Sequence, residues 1–264
     1  SLASGVTQIV STTQAFAALK NDGSVVTWGD ANSGGDSSTV ASRLASGVVR
    51  IFAAGYAFAA LKSDGSVVTW GSINSGGNSS AVAGSLTSGV TQIFSTTNAF
   101  AALKSDGSVV TWGHSSYGGN SSTVSASLAS GVAQIFSTDS AFAALKNDGS
   151  VVTWGSSTKG GDSTAVAGQL ASGVTQIFAA TQAFAALKST GAVVTWGSSI
   201  YGGDSSSVAG NITSGVTQIG SAGLAFAALK SDGSVVTWGD SGNGGTSSGV
   251  ASRLASGVAQ VFST

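Results

Sequence analysis

Short apolar runs recur along this chain and are separated by polar, glycine-rich turns. One stretch contains the runs Val90–Phe94, Ala99–Lys104 and Val109–Gly113. Such runs, rich in valine, phenylalanine and tryptophan and bounded by turn residues, predict antiparallel strands. The Asp-Gly pair within Ser105–Ser108 is a strong hairpin signal because both central positions of the turn tolerate positive φ. A weaker run over residues 121–126 predicts a short fourth strand.

The whole pattern repeats every 42 residues. The six tryptophans mark this period, at Trp28, Trp70, Trp112, Trp154, Trp196 and Trp238. A period in the forties with several short strands per unit is typical of a β-propeller, in which four antiparallel strands form one blade. We therefore predict an all-β fold in which residues 1–264 form a single β-propeller. Its repeats are 1–42, 43–84, 85–126, 127–168, 169–210 and 211–252, followed by a partial repeat, 253–264.

The partial repeat duplicates the first-strand segment only. We therefore predict six four-stranded blades of 42 residues plus one extra first-strand copy at the C-terminus. A seven-bladed propeller and a ring closed between molecules are the alternatives. An exposed strand is a template for pairing with another chain, and repeated domains are prone to swapping. We expect a monomer, with a strand-swapped oligomer as the alternative.

Charged residues are sparse, with a formal net charge of −1, and no cluster of Lys or Arg stands out. We therefore expect neither nucleic acid nor a membrane surface as a partner, since both attract clustered basic residues. The absence of cysteine excludes disulfides and thiolate sites. Abundant Ser, Thr and Gly favour an extracellular bacterial protein, although the localisation stays open.

The repeats differ mainly in two loops, one between the first and second strands and one after the Trp-Gly pair. In an antiparallel sheet both loops emerge at the same end. All three tyrosines and the only histidine of the chain lie in these loops, together with Asp30, Ile73 and Asp240. Tyrosine and scattered polar groups on rigid loops are typical of a recognition surface, and drift of unpacked loops is the alternative. The candidate binding residues are Tyr56, His114, Tyr117, Asp139, Lys159, Ile200, Tyr201 and Leu224.

Catalytic and metal-binding motifs are not indicated. A single histidine cannot form a histidine-rich zinc site, and a Ser-His-Asp set carries no information among so many serines. The Gly-Gly-Asp elements ending at Asp36, Asp162 and Asp204 lack the spacing of an EF-hand loop and predict turns. We expect no enzyme activity, no cofactor and no metal. A glutamine recurs in the first strands, for which we expect structural hydrogen bonds: Gln8, Gln92, Gln134, Gln176, Gln218 and Gln260.

The repeated sequence SGV-x-x-I-F, AFAALKSDGSVVTWG and Gly-Gly resembles the unit of the regulator-of-chromosome-condensation family of propellers. It is most similar to the compact bacterial branch of that family, which includes a β-lactamase inhibitor protein. The resemblance implies a propeller without catalysis that binds a protein through loops on one face. The corresponding positions are the variable tips, such as Tyr56, Tyr117 and Tyr201.

These observations predict a non-enzymatic binding or structural scaffold that recognises a protein through the variable loops. One alternative is a carbohydrate-binding propeller, in which tyrosines stack on sugar rings. Another is a recently amplified or engineered propeller with no evolved ligand, which the near-identity of the repeats favours.

Overall fold

A computed structural model describes residues 4–263 of the chain. The chain forms two compact units, of which the first ends at Val132 and the second begins at Ala133. Each unit contains three-stranded antiparallel sheets whose strands follow one another in sequence order. Six such sheets are present in the described residues, which confirms the all-β prediction.

The first unit contains sheets 1 to 3. Their strands are β1 (Val6–Ser11), β2 (Ala15–Lys20) and β3 (Val25–Gly29); β4 (Val48–Ala53), β5 (Ala57–Lys62) and β6 (Val67–Gly71); and β7 (Val90–Ser95), β8 (Ala99–Lys104) and β9 (Val109–Gly113). The 3₁₀ segments of this unit are Ala31–Ser33, Ser38–Val40, Ile73–Ser75, Ser80–Leu86, Ser115–Tyr117 and Ser122–Val124.

The second unit contains sheets 4 to 6. The first strand of sheet 4 begins at Val132, one residue before the start of the unit. Their strands are β10 (Val132–Ser137), β11 (Ala141–Lys146) and β12 (Val151–Gly155); β13 (Val174–Ala179), β14 (Ala183–Lys188) and β15 (Val193–Gly197); and β16 (Val216–Ala222), β17 (Ala225–Lys230) and β18 (Val235–Gly239). The helical segments are a one-turn α-helix, α1 (Ala167–Leu170), and the 3₁₀ segments Ser157–Lys159, Thr164–Val166, Ser199–Tyr201, Ser206–Asn211, Ser241–Asn243 and Ser248–Arg253.

The Asp-Gly hairpin joins the second and third strands of a sheet as predicted. Between β8 and β9 the Oδ1 atom of Asp106 accepts hydrogen bonds from the backbone N–H and the hydroxyl of Ser108, at 2.9 and 2.6 Å. The hydroxyl and backbone bonds from Ser108 lower the pKa of the Asp106 carboxyl, because they stabilise its charged form. The other aspartates at this position have pKa values lowered in the same way, and together we call them the hairpin aspartates: Asp22, Asp64, Asp106, Asp148 and Asp232.

The predicted fourth strand is wrong. Residues 121–126 contain the 3₁₀ segment Ser122–Val124 instead, and the sheet ends at its third strand. The polar groups of this segment bond locally, since the side chain of Asn120 accepts the N–H of Ser122 at 2.9 Å. Its apolar residues, Val124 and Leu128, are four positions apart, which is a helical spacing and not the alternation of a strand. Leu128 is buried and anchors the segment.

The extra first-strand copy is not a strand either, and its last residue, Thr264, lies outside the described residues, as do residues 1–3. Residues 257–263 have no regular structure. The side-chain amide of Gln218 nevertheless bonds both backbone groups of Val261, at 2.7 and 3.3 Å. In the first unit, Gln8 bonds the backbone of Ile51 in the same way, at 3.1 Å each. The structural role expected for the glutamines is therefore confirmed at Gln8 and Gln218.

Neighbouring sheets inside a unit pack face to face. In the first unit, Ala17 and Leu19 of β2 pack against Phe58 and Trp70 of sheet 2. The two rings of sheet 2 stack with centroids 5.2 Å apart, and the indole Nε1 donates to the carbonyl of Gly34 in the preceding repeat at 3.0 Å. Gly34 has φ +96°, and a Cβ atom there would lie 2.6 Å from the Phe58 ring, so only glycine fits this contact.

The tryptophan-to-glycine bond recurs in both units. It links Trp112 to Gly76 in the first unit, and Trp196 to Gly160 and Trp238 to Gly202 in the second, each at 3.0 Å. The tryptophans therefore both fill the core between sheets and satisfy a buried carbonyl of the preceding repeat.

Candidate binding surface on the variable loops

The two variable loops of a repeat lie at the same end of its sheet, as the sequence predicted. In sheet 2, Ala57 pairs with Gly71, so the start of β5 lies beside the end of β6. The N–H of Ser72 then donates to the carbonyl of Tyr56 at 2.8 Å, which ties one loop to the other. We call the loop between the first and second strands the first tip and the loop after Trp-Gly the second tip.

First tips of adjacent repeats are hydrogen-bonded to one another. In the first unit the N–H of Thr13 donates to Gly55 at 2.9 Å, and the N–H of Gly55 donates to Thr97 at 2.7 Å. In the second unit the N–H of Asp139 donates to Thr181, and that of Thr181 to Gly223, both at 2.9 Å. Backbone bonds of this kind hold the tip side chains at fixed spacing.

Second tips are short 3₁₀ turns that begin with a capping residue and end with a glycine at positive φ. Asp30 and His114 cap their turns with side-chain acceptors. The hydroxyl of Thr96 in a first tip also donates to the carbonyl of Tyr117 in the second tip, at 2.9 Å. The polypeptide of both tips is therefore anchored, and the variable side chains project from it.

In the first unit, the candidates Tyr56, His114 and Tyr117 occupy two repeats. Tyr56 is 38% exposed, and Ile73 in the second tip of the same repeat is 71% exposed. The rings of His114 and Tyr117 meet edge to face, with centroids 5.2 Å apart. The Nδ1 atom of His114 accepts the N–H of Ser116 at 3.3 Å, so this imidazole closes its own turn.

In the second unit, the structure brings Asp139 and Lys159 together. The Lys159 ammonium lies 3.2 Å from Oδ2 of Asp139, and the amide of Gln182 donates to the same oxygen at 3.0 Å. Oδ1 of Asp139 and Oγ of Ser140 are buried and have no hydrogen-bond partner among the described residues. This polar cluster joins two repeats and retains unused acceptor capacity beside a cation.

The remaining candidates of the second unit differ in exposure. Ile200 is 63% exposed at a second tip. The adjacent Tyr201 is half-buried and packs against the core cluster that contains Ile212 and Trp238. Leu224 is half-buried in a first tip. Of these three residues, Ile200 presents the most accessible apolar surface.

Solved structures with the same fold are known, although no protein-family model and no curated protein matches the sequence. The chain superposes on human WBSCR16 with a TM-score of 0.52 and 15% identity, covering 90% of this chain and 77% of the other. It superposes on yeast RCC1 (Prp20), in a structure with Kap60 bound, with a TM-score of 0.50 and 16% identity, covering 89% and 70%. The chain therefore has the fold of the RCC1-type β-propellers. At these identities the likeness concerns the fold.

The Gly-Gly-Asp elements of the repeats form turns. The Oδ1 atoms of Asp36, Asp162 and Asp204 accept the N–H two residues further on, at 2.8 to 2.9 Å. These bonds lower the pKa of each carboxyl. No group of three His, Cys, Asp or Glu side chains within residues 4–263 could hold a metal ion. In the same range, no helix has the length and apolar character needed to span a membrane.

Gln182 and Ser140 belong to the polar cluster but were not among the sequence candidates. They occupy the third position of the first tip in their repeats. An amide recurs there in alternate repeats, at Gln14, Asn98 and Gln182, and the hydroxyl of Ser75 donates to Asn98 at 2.9 Å. The recurrence of an amide in alternate repeats is the sequence signal for a position whose side chain forms hydrogen bonds within the tips.

Proposed function

We propose that this chain is a non-enzymatic scaffold that binds a protein partner through the variable tips. The observation that carries the proposal is the exposure of Tyr56, Ile73 and Ile200 on tips whose backbone is hydrogen-bonded. Large apolar side chains held on a rigid backbone supply contact area with little loss of conformational entropy on binding. Aromatic and aliphatic anchors of this kind carry most of the energy of protein interfaces.

Polar groups beside these anchors provide specificity. In the second unit the Asp139–Lys159 pair lies at the tips of one repeat, and Ile200 lies at the second tip of the next. In the first unit His114 fixes the edge of Tyr117. A mixture of apolar anchors and oriented polar groups is the composition of a recognition surface.

A relative of the same fold supports a binding role. The yeast RCC1 (Prp20) structure holds Kap60 bound to the propeller protein. We extend to this chain only the use of the fold as a platform for another protein, because the sequence identity is 16%.

The tip chemistry favours binding over catalysis. The single histidine uses Nδ1 for its own turn. Oδ2 of Asp139 is engaged by Lys159 and Gln182, and its other oxygen, Oδ1, is buried away from any substrate. A general base needs a free acceptor aimed at a substrate. Turnover of a substrate by the native chain that is lost in a His114→Ala or Asp139→Asn variant would contradict this part of the proposal.

The test is a selection for binding partners followed by a quantitative comparison of variants. The immobilised chain is used to select binders from a displayed library of natural protein fragments, and a glycan array is probed in parallel. Each selected fragment is then measured by interferometry against the native chain and against a Tyr56→Ser, Ile73→Ser, Ile200→Ser variant. We expect the variant to bind about tenfold more weakly or worse, the loss of one or two anchors.

A matched control changes the opposite end of the sheets. Ser63→Ala, Ser105→Ala and Ser189→Ala alter three exposed hairpin residues in the same repeats or their neighbours, and this variant should bind as the native chain does. Binders that lose affinity in the control but not in the tip variant would contradict the proposal. If the chain binds a glycan on the array and selects no protein fragment, the carbohydrate-binding alternative replaces the proposal.

A further inference from the structure

Within residues 4–263, sheet 1 lacks the covering that buries the equivalent face of the other sheets. In sheet 2, Ile51 is 2% exposed and Phe58 is 0% exposed, because both pack against β2 of the preceding repeat. Their counterparts in sheet 1, Ile9 and Phe16, are 59% and 44% exposed. Trp28 is half-buried beside Phe16, with ring centroids 5.2 Å apart. We call Ile9, Phe16 and Trp28 the head face.

The two ends of the repeat series have complementary unused hydrogen-bonding groups. Inside the units, the tryptophan of one repeat donates to a glycine of the repeat before it, as Trp70 does to Gly34. Within residues 4–263 the indole N–H of Trp28 makes no hydrogen bond. Gly244 stands where Gly34 stands in its own repeat and has the same φ of +96°. Among the described residues, no atom lies within 4 Å of the Cβ position of Gly244, and no group donates to its carbonyl.

The residues after sheet 6 take the position of a first strand. We call residues 258–263 the tail segment. The N–H of Val258 donates to Gly233 at 3.0 Å, as the N–H of Val48 does to Gly23 in the first unit. Gln218 bonds the backbone of Val261, but no second or third strand accompanies the tail segment, and Phe262 remains exposed. The tail segment is thus held by few bonds and is open to replacement.

We propose that the head face of one copy of this chain docks on sheet 6 of a second copy, with β1 replacing the tail segment. We choose a second copy as the occupant of the head face because the same contact between neighbouring sheets already exists inside each unit. Ile9 would become buried as Ile51 is, Gln218 would bond the backbone of Ile9, and Trp28 would donate to Gly244. β1 is the better occupant because it enters already paired with β2 in a complete sheet, whereas the tail segment has no sheet.

The contact joins two different surfaces, so in a pair of copies one keeps a free sheet 6 and the other keeps a free head face. Contacts of this type build closed rings or open chains, not only dimers. We therefore expect association that grows with concentration beyond the mass of two chains.

Sedimentation velocity of the full chain over a range of concentrations tests the proposal. We expect species heavier than the 25.4 kDa chain, and we expect Ile9→Lys to weaken association about tenfold or more, as loss of a buried anchor does. Because Ile9 is exposed in the single chain, this variant should keep the native circular dichroism spectrum. The matched control is Val49→Lys, which adds the same charge at a first-strand residue that is 54% exposed and lies outside the head face; its association should equal that of the native chain.

Removal of residues 255–264 separates this proposal from a simple strand exchange. If β1 replaces the tail segment, the shortened chain associates more strongly than the native chain. Weaker association of the shortened chain would show that the tail segment itself makes the contact and would overturn the proposal. A mass of 25.4 kDa at every concentration, or equal effects of Ile9→Lys and Val49→Lys, would also overturn it.

Discussion

The tryptophan-to-glycine bond between repeats can be tested with a matched pair of substitutions, Trp70→Phe and Trp28→Phe. Trp70 is buried, and its Nε1 donates to the buried carbonyl of Gly34 at 3.0 Å. Trp28 occupies the same place in its repeat but is half-buried, with no such bond among the described residues. Phenylalanine keeps an aromatic ring at both positions and removes the donor.

The expected cost at Trp70 has two parts. Leaving the Gly34 carbonyl unpaired costs about 1–3 kcal/mol. Complete truncation of a buried aromatic costs about 3–5 kcal/mol, so the smaller loss from indole to phenyl contributes about 1–2 kcal/mol. The free energy of unfolding should therefore fall by about 2–4 kcal/mol in Trp70→Phe. It should fall by about 1 kcal/mol or less in Trp28→Phe, since surface substitutions cost little.

The assay is equilibrium denaturation followed by far-ultraviolet circular dichroism, at the lowest usable protein concentration so that association between copies does not contribute. Repeat arrays can unfold in more than one step, so backbone hydrogen exchange in β4–β6 should locate the loss. Losses that agree within about 0.5 kcal/mol for the two variants, the usual additivity error, would refute the assignment of the bond as a stabilising contact.

Three further outcomes follow from the described contacts. Gly76 and Gly244 both have positive φ, so alanine at either position costs about 1–2 kcal/mol, but only at Gly76 would the new Cβ lie 2.6 Å from the Phe100 ring. The free energy of unfolding, measured by denaturation, should therefore fall by about 1–3 kcal/mol more in Gly76→Ala than in Gly244→Ala. Equal losses in the two variants would contradict the packing. Leu170→Ala should lower the free energy of unfolding by about 2–5 kcal/mol because Leu170 is buried. Leu254 is half-buried, so Leu254→Ala should lower it by less than half as much in the same assay. Because the pKa values of the hairpin aspartates are lowered, the folded state binds fewer protons, so their stabilisation is complete above about pH 4 and is lost as the pH falls through the folded pKa values. A variant with asparagine at all five positions should lose less stability on acidification than the native chain. An unchanged pH dependence of stability would contradict the assignment.

The sequence determined the strands and hairpins because their signals are local. The bounds read from the pattern for Ala99–Lys104 and Val109–Gly113 are those of β8 and β9. An Asp-Gly turn between two apolar runs defines its own register, since the side chain of Asp106 and the glycine after it shape the turn.

The segment after the third strand differs from the predicted strand, although its sequence carries a helical signal. Val124 and Leu128 are spaced as on one face of a helical turn, and the structure forms a 3₁₀ segment there. The prediction of a fourth strand rested on the weaker run over residues 121–126. Local polar bonds, such as Asn120 to Ser122, satisfied the backbone without a neighbouring strand.

Tertiary structure alone decided which copies of a repeated sequence are buried and which side chains meet. β2 and β5 have the same sequence, AFAALK, yet Phe16 is exposed and Phe58 is not, because burial depends on the sheet packed against a strand and not on the strand itself. Asp139, Lys159 and Gln182 likewise carry no common motif and meet only where the tips of two repeats lie side by side. Turns and the hydrogen bonds inside them join residues a few positions apart and can be read along the chain, whereas burial and tip contacts depend on residues about one repeat away.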